Sequence, residues 1–416
     1  MAERLKNLLL TFLLLLMAVL LVLTFMLGIQ GSHGGRRLLQ SLEENDEFTS
    51  SGAACVVAYP EKMTLVGENG LFLAQDADDY GLLYQQAEPL WQEALGSAGG
   101  LQPLEEQDYL QQLKAPAVLL QYHAAQPLYL LRAWGGSESL QQDVAVTSLA
   151  LTALEKQVVL LATDRSGKRW QAETAASHTD LESLCGDLPQ SNGLFAGQHV
   201  VLAGDEVLTR GVSQFPVMEC TVPELVRRGE LSEAIQSLFG MNPYLTKVYP
   251  NADGSLVYVE SHSTISLSPA GDFSYSGQGI PLELTAAGDT ARQAEIGMQV
   301  YELLSHLWEQ AGASGQLSLE KLQFEGNSGL LCFGLHLKGR FVERTGGYWA
   351  TVTVEDGVVT GVSAALRQLD EISTTQLLPL YQAAATLKQG KGSLRVRLLE
   401  QQDGTMLPQV CFVTEE

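Results

Sequence analysis

One stretch constrains this chain more than any other: LLLTFLLLLMAVLLVLTFMLGI, from Leu8 to Ile29, whose polar residues are Thr11 and Thr24. A helix needs roughly 20 apolar residues, at about 1.5 Å each, to cross a bilayer, and this run reaches that length. The two hydroxyls can bond back to helix carbonyls. A cleaved signal peptide would have a shorter apolar core, about 7–15 residues, and a small-residue cleavage site. Here QGSHGG follows instead. The expectation is an uncleaved transmembrane anchor over 8–29 behind a short cytoplasmic head, 1–7. Arg4 and Lys6 precede the run and Arg36 and Arg37 follow it, so the positive-inside rule is nearly balanced. The short head and the acidic body favour a single-pass protein of the cell membrane, N-terminus cytoplasmic and body extracytoplasmic.

That body follows a polar stalk, 30–52, rich in Ser and Glu. Net charge is −23 over 416 residues, with 45% hydrophobic residues. The apolar content supplies a sizeable core for two or three domains. The charge excludes nucleic acid, whose binding rests on clustered Lys and Arg, and Arg227-Arg228 and Arg36-Arg37 are only pairs.

Periodicity predicts an α+β body of antiparallel sheets packed with helices. Domain boundaries are expected at 53–215, 216–285 and 286–416. Alternation around Asn69-Gly70 and around Arg165 to Lys168 reads as hairpins. DADDYGLLYQQAEPLWQEAL reads as a helix with Leu82, Leu83, Leu90, Trp91 and Leu95 on its apolar side, kinked or restarted at Pro89. PLYLLRAW reads as a strand. VPELVRRGELSEAIQSLFG reads as one helix stopped by Gly240. Asp289 to Gly312 is the best amphipathic helix, with Ile296, Val300, Leu303, Leu304, Leu307 and Ala311 in a stripe. STTQLLPLYQAAATLK reads as a helix capped by Ser373.

The most legible segment is GGYWATVTVEDGVVTGVSAALR, Gly346 to Arg367, with Asp356-Gly357 as a two-residue turn. This pairs Val354 with Val359 and Thr353 with Thr360. Tyr348, Ala350, Val352 and Val354 then share a face for packing on the helix that begins at Ser373. Trp349, Thr351, Thr353 and Glu355 share a half-exposed one.

Chemistry-bearing patterns are sparse. There is no G-x-S-x-G, H-E-x-x-H, Walker loop or dinucleotide fingerprint. Ser318 and Lys321 fit S-x-x-K, but the flanking Leu317, Leu319, Leu322 and Phe324 mark a strand, not the helix that would let Lys activate Ser. The 5 cysteines are far apart and form no C-x-x-C, and the 7 histidines lack metal spacing. His306 and His336 read as hydrogen-bonded boundary residues. No catalytic residue, metal site or cofactor is expected.

Four features together resemble the YycH family of membrane-anchored regulators. The start RLKNLLLTFLLLLMAVLLVLT looks like that family's basic head and anchor, and the total length is similar. SLFGMNPYLTKVYPNADGSLVYVESHSTISLSPAGDFSYSG is similar to its middle segment. GYWATVTVEDGVVTGVSAALR and MLPQVCFV look like the PepSY-like units that the family shares with its partner YycI. The resemblance implies a non-enzymatic protein with a PepSY-like C-terminal unit. It implies association with the sensor histidine kinase of a two-component system controlling cell-wall metabolism, alongside a YycI-like companion, partly through 8–29. Small and hydroxyl residues serve helix association in lipid, which makes Thr11, Ala18 and Gly28 the contact candidates, with Trp349 as a candidate on the body. The competing reading is an extracytoplasmic PepSY-like ligand-binding or inhibitory module. A cell-wall enzyme stands third, since it needs a convergent polar site that the motifs do not supply.

Overall fold

The computed structural model describes Val57 to Thr414, apart from 69, 75–76, 114–115, 135–143, 187–190, 197–201, 203–204, 230, 287, 338, 388–391 and 402–403. The head, the anchor and the stalk, with Thr11, Ala18 and Gly28, lie outside the described residues.

A nine-stranded sheet takes the first part of the body. Its strands are β1 (Pro60–Gly67), β2 (Gly70–Leu73), β3 (Gln102–Leu104), β4 (Ala117–Pro127), β5 (Ala145–Leu154), β6 (Gln157–Asp164), β7 (Arg169–Glu173), β8 (Gly193–Phe195) and β9 (Val207–Thr209), in the order β3-β7-β6-β5-β4-β1-β2-β8-β9. Both of its faces are buried. Val118, Leu120, Leu149, Leu151 and Leu160 join the main core with helices α1 (Ala77–Ser97) and α4 (His178–Gly186). Ala117, Leu119, Ala150 and Leu161 face the other way, onto Tyr109 and Leu113 at helix α2 (Glu106–Gln112). Two buried faces are why AVLL and VVLLA read as continuous apolar runs rather than alternating ones.

A 13-stranded sheet takes the rest. It comprises β10 (Ser213–Thr221), β11 (Lys247–Pro250), β12 (Leu256–Glu260), β13 (Ser263–Leu267), β14 (Asp272–Pro281), β15 (Gln316–Glu325), β16 (Ser328–Leu337), β17 (Arg340–Glu343), β18 (Ala350–Glu355), β19 (Val358–Ala365), β20 (Gln368–Leu377), β21 (Gly392–Glu400) and β22 (Thr405–Thr414). The order is β11-β12-β13-β14-β19-β18-β16-β17-β21-β22-β10-β20, with β15 on the other edge of β16. Among the described strands only β17 and β21 pair in parallel. Helix α7 (Asp289–Ala311) buries the whole predicted stripe and ends on Gly312 in the left-handed conformation (φ 69°). It packs on β15 and on helices α3 (Leu128–Trp134) and α6 (Glu233–Leu238), so one apolar core runs through both sheets.

Several local expectations are corrected. PLYLLRAW is helix α3, not a strand. Pro127 closes β4, and Leu128, Leu130 and Leu131 bury beneath α7 at helical spacing. The long helix expected from Pro223 is two short ones, α5 (Glu224–Arg227) and α6, broken where Gly229 turns left-handed (φ 69°). Ser373 caps no helix. Gln368–Leu377 is a strand whose Ser373, Thr374 and Thr375 pair with Val217, Pro216 and Phe215 of β10. Pro379 then starts a short helix, α8 (Leu380–Ala384). Runs of β-branched Thr favour pairing over helix, and Pro is best tolerated at a helix start. Helix α1 passes through Pro89 without ending, and its Leu82 is 59% exposed rather than packed.

The Asp356-Gly357 turn forms as expected, with both residues at positive φ (51° and 78°) and Val354 opposite Val359. Thr353, however, pairs with Gly361, because a bulge inserts Thr360. The faces also differ at their start. The strand begins at Ala350, so Tyr348 is exposed while Trp349 turns inward, 2% exposed, its indole donating to the Val342 carbonyl at 2.7 Å. The half-exposed face expected for Trp349 is therefore a core position. Val352 and Val354 share the main core with α7 rather than lying on a helix from Ser373.

These placements predict opposite outcomes for two apolar side chains. Trp349→Ala should cost about 3–5 kcal/mol, and Leu82→Ala within about 0.5 kcal/mol, in denaturant unfolding.

Candidate functional site

The charged side chains that matter most are not on the surface. They form a seam where the two sheets meet. On β1 the pairing with β4 slips between Pro60 and Lys62, which makes Glu61 the extra residue of a bulge. A bulge sets two successive side chains toward one region, and both Glu61 and Lys62 are buried in the seam. From the other sheet, β21 sends Arg395 and Arg397, two residues apart and so on one face. Arg397 Nε donates to Glu61 Oε1 at 3.0 Å, and Arg395 Nε lies 3.3 Å from Glu61 Oε2. Arg397 also reaches Glu343 on β17 at 3.3 Å.

The network continues through Asp205 and Glu206, just before β9. Glu206 accepts from Lys62 and lies 3.4 Å from Arg395 Nη1. Asp205 turns to the first sheet, 3.2 Å from Arg169 Nη2 on β7, and accepts from the Tyr109 hydroxyl at 3.1 Å. Arg169 also donates to Thr163 at 2.6 Å and stands 4.7 Å over the Tyr109 ring. At the remaining corner, His123 on β4 has Nδ1 3.7 Å from Glu61 Oε2 and Nε2 3.6 Å from Glu320 Oε2 on β15. Its ring stacks on Phe341 with centroids 3.6 Å apart.

Proton affinities follow from burial set against these partners. Burial alone would raise Glu61, but the adjacent His123 and the Arg397 and Arg395 charges hold it well below the usual carboxylate range. Burial pulls Lys62 down to about 8, although Glu206 opposes the shift. Burial pushes Glu320 up to about 7, with His123 and Arg397 pulling the other way. Burial also drives Tyr109 upward, aided by the Asp205 charge. His336, 4% exposed, is pulled down to about 4 by burial, and neither ring nitrogen has a hydrogen-bond partner among the described residues. It corrects the expectation of a hydrogen-bonded boundary histidine: its ring is packed edge-on to Phe341, centroids 5.5 Å apart.

The seam borders a cleft of about 900 Å³, lined by residues 121–127 of β4, by Glu320, Lys321 and Leu322 of β15, and by Arg395 and Arg397. Chemically the arrangement offers an acid near neutrality, Glu320, beside an imidazole, with guanidinium groups already engaged by carboxylates.

The residues singled out from the sequence do not gather here. Trp349 is in the core behind β17. Ser318 is buried on strand β15, as its flanking pattern predicts, and accepts from the Tyr59 backbone amide at 2.9 Å. His306 is exposed on α7. The seam itself was missed. Its sequence signals are Glu61-Lys62 at the start of an apolar strand and R-V-R in SLRVRLLE, and both patterns equally describe solvent-facing charges.

No protein-family model matches the chain, and no curated protein does. The fold is similar to that of a solved structure, YycH from Bacillus subtilis, at TM-score 0.54 and 9% sequence identity, over 88% of this chain and 95% of that chain. The Bacillus megaterium YpeB C-terminal domain aligns at TM-score 0.27 and 12% identity, over 46% of this chain and 86% of that chain, too low to indicate a shared fold. The body thus has a YycH-like α+β fold.

Removing one partner of a buried pair strands the other charge. Glu61→Gln should therefore cost about 3–5 kcal/mol at pH 7. Because folding lowers the Glu61 pKa, its contribution is present above the unfolded value of 4.5 and is lost as pH falls through the folded one. The gap between Glu61→Gln and wild type should narrow as unfolding is measured at pH 5, 4 and 3.

Proposed function

We propose that this protein is a membrane-anchored, extracytoplasmic regulator of a two-component sensor histidine kinase that controls cell-wall metabolism. It works by protein–protein association, with a YycI-like companion, through the apolar segment 8–29 and the outer body. The observation that carries this reading is the YycH-like fold across 88% of the chain. Segment 8–29, long and apolar enough to anchor it, supports the location. A non-catalytic role is supported by the seam, where Glu61, Glu206, Arg395 and Arg397 are turned onto one another rather than toward a substrate.

One surface supports association by the body. Strand β11 ends the larger sheet, so its outer edge has no strand partner among the described residues. All of its residues are exposed, and Tyr244 (86%), Leu245, Val248 and Tyr249 form an apolar run on and beside it. The edge itself is short and bracketed by Lys247 and Pro250, which limits strand pairing, but the exposed aromatics beside it make strong anchors at interfaces. The occupant proposed for this patch is a segment of the companion.

A second reading, a PepSY-like ligand-binding or inhibitory module, is favoured by the cleft of about 900 Å³, a volume suited to a small molecule.

The test is recovery of partners with the tagged full chain from native membranes. A sensor kinase and a companion protein should co-purify, and replacing 8–29 by an unrelated apolar helix should reduce kinase recovery. Tyr244→Ser with Tyr249→Ser should lower companion recovery about 10-fold, the scale of one lost anchor, with the unfolding midpoint unchanged. A retained small molecule without any kinase would favour the second reading.

A further inference from the structure

Two acids from different sheets, each the extra residue of a bulge, converge on one imidazole. Glu61 is displaced from the β1–β4 ladder between Pro60 and Lys62. Glu320 is displaced from the β15–β16 ladder, where pairing passes from Leu319↔Phe333 to Lys321↔Cys332. His123 sits where β4 itself leaves β5, between the paired residues Gln121 and Gln126. Its two nitrogens lie 3.7 Å from Glu61 and 3.6 Å from Glu320. Three ladder irregularities thus meet at one point, and bulges commonly re-aim side chains at functional places.

The position of Glu320 is closely built. Its carboxylate lies over the bare Cα of Gly334 on β16, where a Cβ would come within 1.6 Å of Glu320 Oε1 and 2.5 Å of the Phe341 ring. Any larger residue at 334 would expel the carboxylate. Phe341 in turn stacks on His123 and stands 5.5 Å beneath the Arg397 guanidinium. An acid buried this way, against an aromatic ring, keeps a proton more readily than one in water, while His123 and Arg397 oppose that effect.

We propose that Glu320, His123 and Glu61 form a proton-operated tie between the two sheets, which sets the opening of the cleft beside it. One proton resides on Glu320 when the tie is closed. Its loss to solvent leaves two carboxylates, one from each sheet, on either side of His123, and their repulsion loosens the seam.

The charges facing this centre are Glu61 (β1), Arg395 and Arg397 (β21) and Glu343 (β17), Arg395 lying 3.3 Å from the Glu61 oxygen that faces His123. Cys332 (β16) and Tyr348 also feel Glu320. His336 (β16) faces His123 and Glu61, and burial keeps it neutral well below pH 7. Arg397 is shared with Glu61 and Glu343, so it only partly offsets a second carboxylate. Burial pushes Glu320 up to about 7. Since this acid is raised by folding, its favourable contribution is full below the unfolded value of 4.5 and is lost as pH rises through about 7. The tie is therefore closed on the acid side of neutrality and loosened on the alkaline side. This operates whether the body meets a kinase, a companion or a small molecule.

Backbone hydrogen exchange on the full chain in detergent, corrected for intrinsic rates, reads the tie directly. Between pH 6 and pH 8.5 the segments 117–127 and 316–325 should lose about 10-fold in protection, the effect of one pH unit of differential proton affinity. The segments of α1 and β12–β13 should not change. Glu320→Gln should hold the two seam segments at their pH 6 protection throughout. Unchanged protection of the wild-type seam over this range overturns the proposal, and so does an equal loss in Glu320→Gln. The wild-type measurement decides the matter even if the variant fails to fold.

Discussion

The structure turns on one buried carboxylate. Glu61 is 3% exposed, and taking an ion out of water costs several kcal/mol unless partners surround it. Two guanidinium groups from β21 and an imidazole from β4 supply that surround. None of these partners is near Glu61 in sequence, so the carboxylate is tolerable only when both sheets are folded and docked. Sheet docking and charge burial are thus one event. The same holds for Lys62, whose partner Glu206 comes from the chain leading into β9.

An apolar core that runs through both sheets already supplies most of the driving force for their association. The seam adds something that apolar packing lacks. Hydrophobic contact tolerates sliding, whereas a carboxylate held between two guanidinium groups accepts one register. Buried ion pairs are better attested as devices for register than for stability, and the placement here, at the join between sheets, matches that use. It also leaves the join responsive, because Glu320 titrates near neutrality while Glu61 stays ionised far below it. The joint thereby holds one geometry and can still be biased.

Much of the fold was legible in the sequence, for identifiable reasons. The stripe from Ile296 to Ala311 buried as its 3.6-residue period requires, and Gly312 stopped the helix in a conformation that glycine adopts without strain. Asp356-Gly357 turned where alternation changed sides. The errors have a common origin. PLYLLRAW alternates well enough for a strand, yet α7 lies above it and favours a helix. STTQLL has helix-like spacing, yet a long partner strand, β10, was waiting for it. The pattern puts Trp349 on the wrong face because the strand starts two residues later than Tyr348, where the alternation begins. In each case a partner distant in sequence outweighed a local preference of a few tenths of a kcal/mol per residue.

The sequence by itself determined the class of body, α+β with antiparallel pairing, and its acidic charge. Period, turn chemistry and charge balance are local properties, and they read directly from residue order. Only the tertiary structure decided which charges are buried. Glu61, Lys62, Arg395 and Arg397 look like any solvent-facing charges along their strands. Their fate depends on bulges that re-aim single side chains and on a neighbour more than three hundred residues away, the Arg397–Glu61 pair being separated by 336 positions. Electrostatic energy depends on distance in space and on exclusion of water, and neither quantity exists until the two sheets meet.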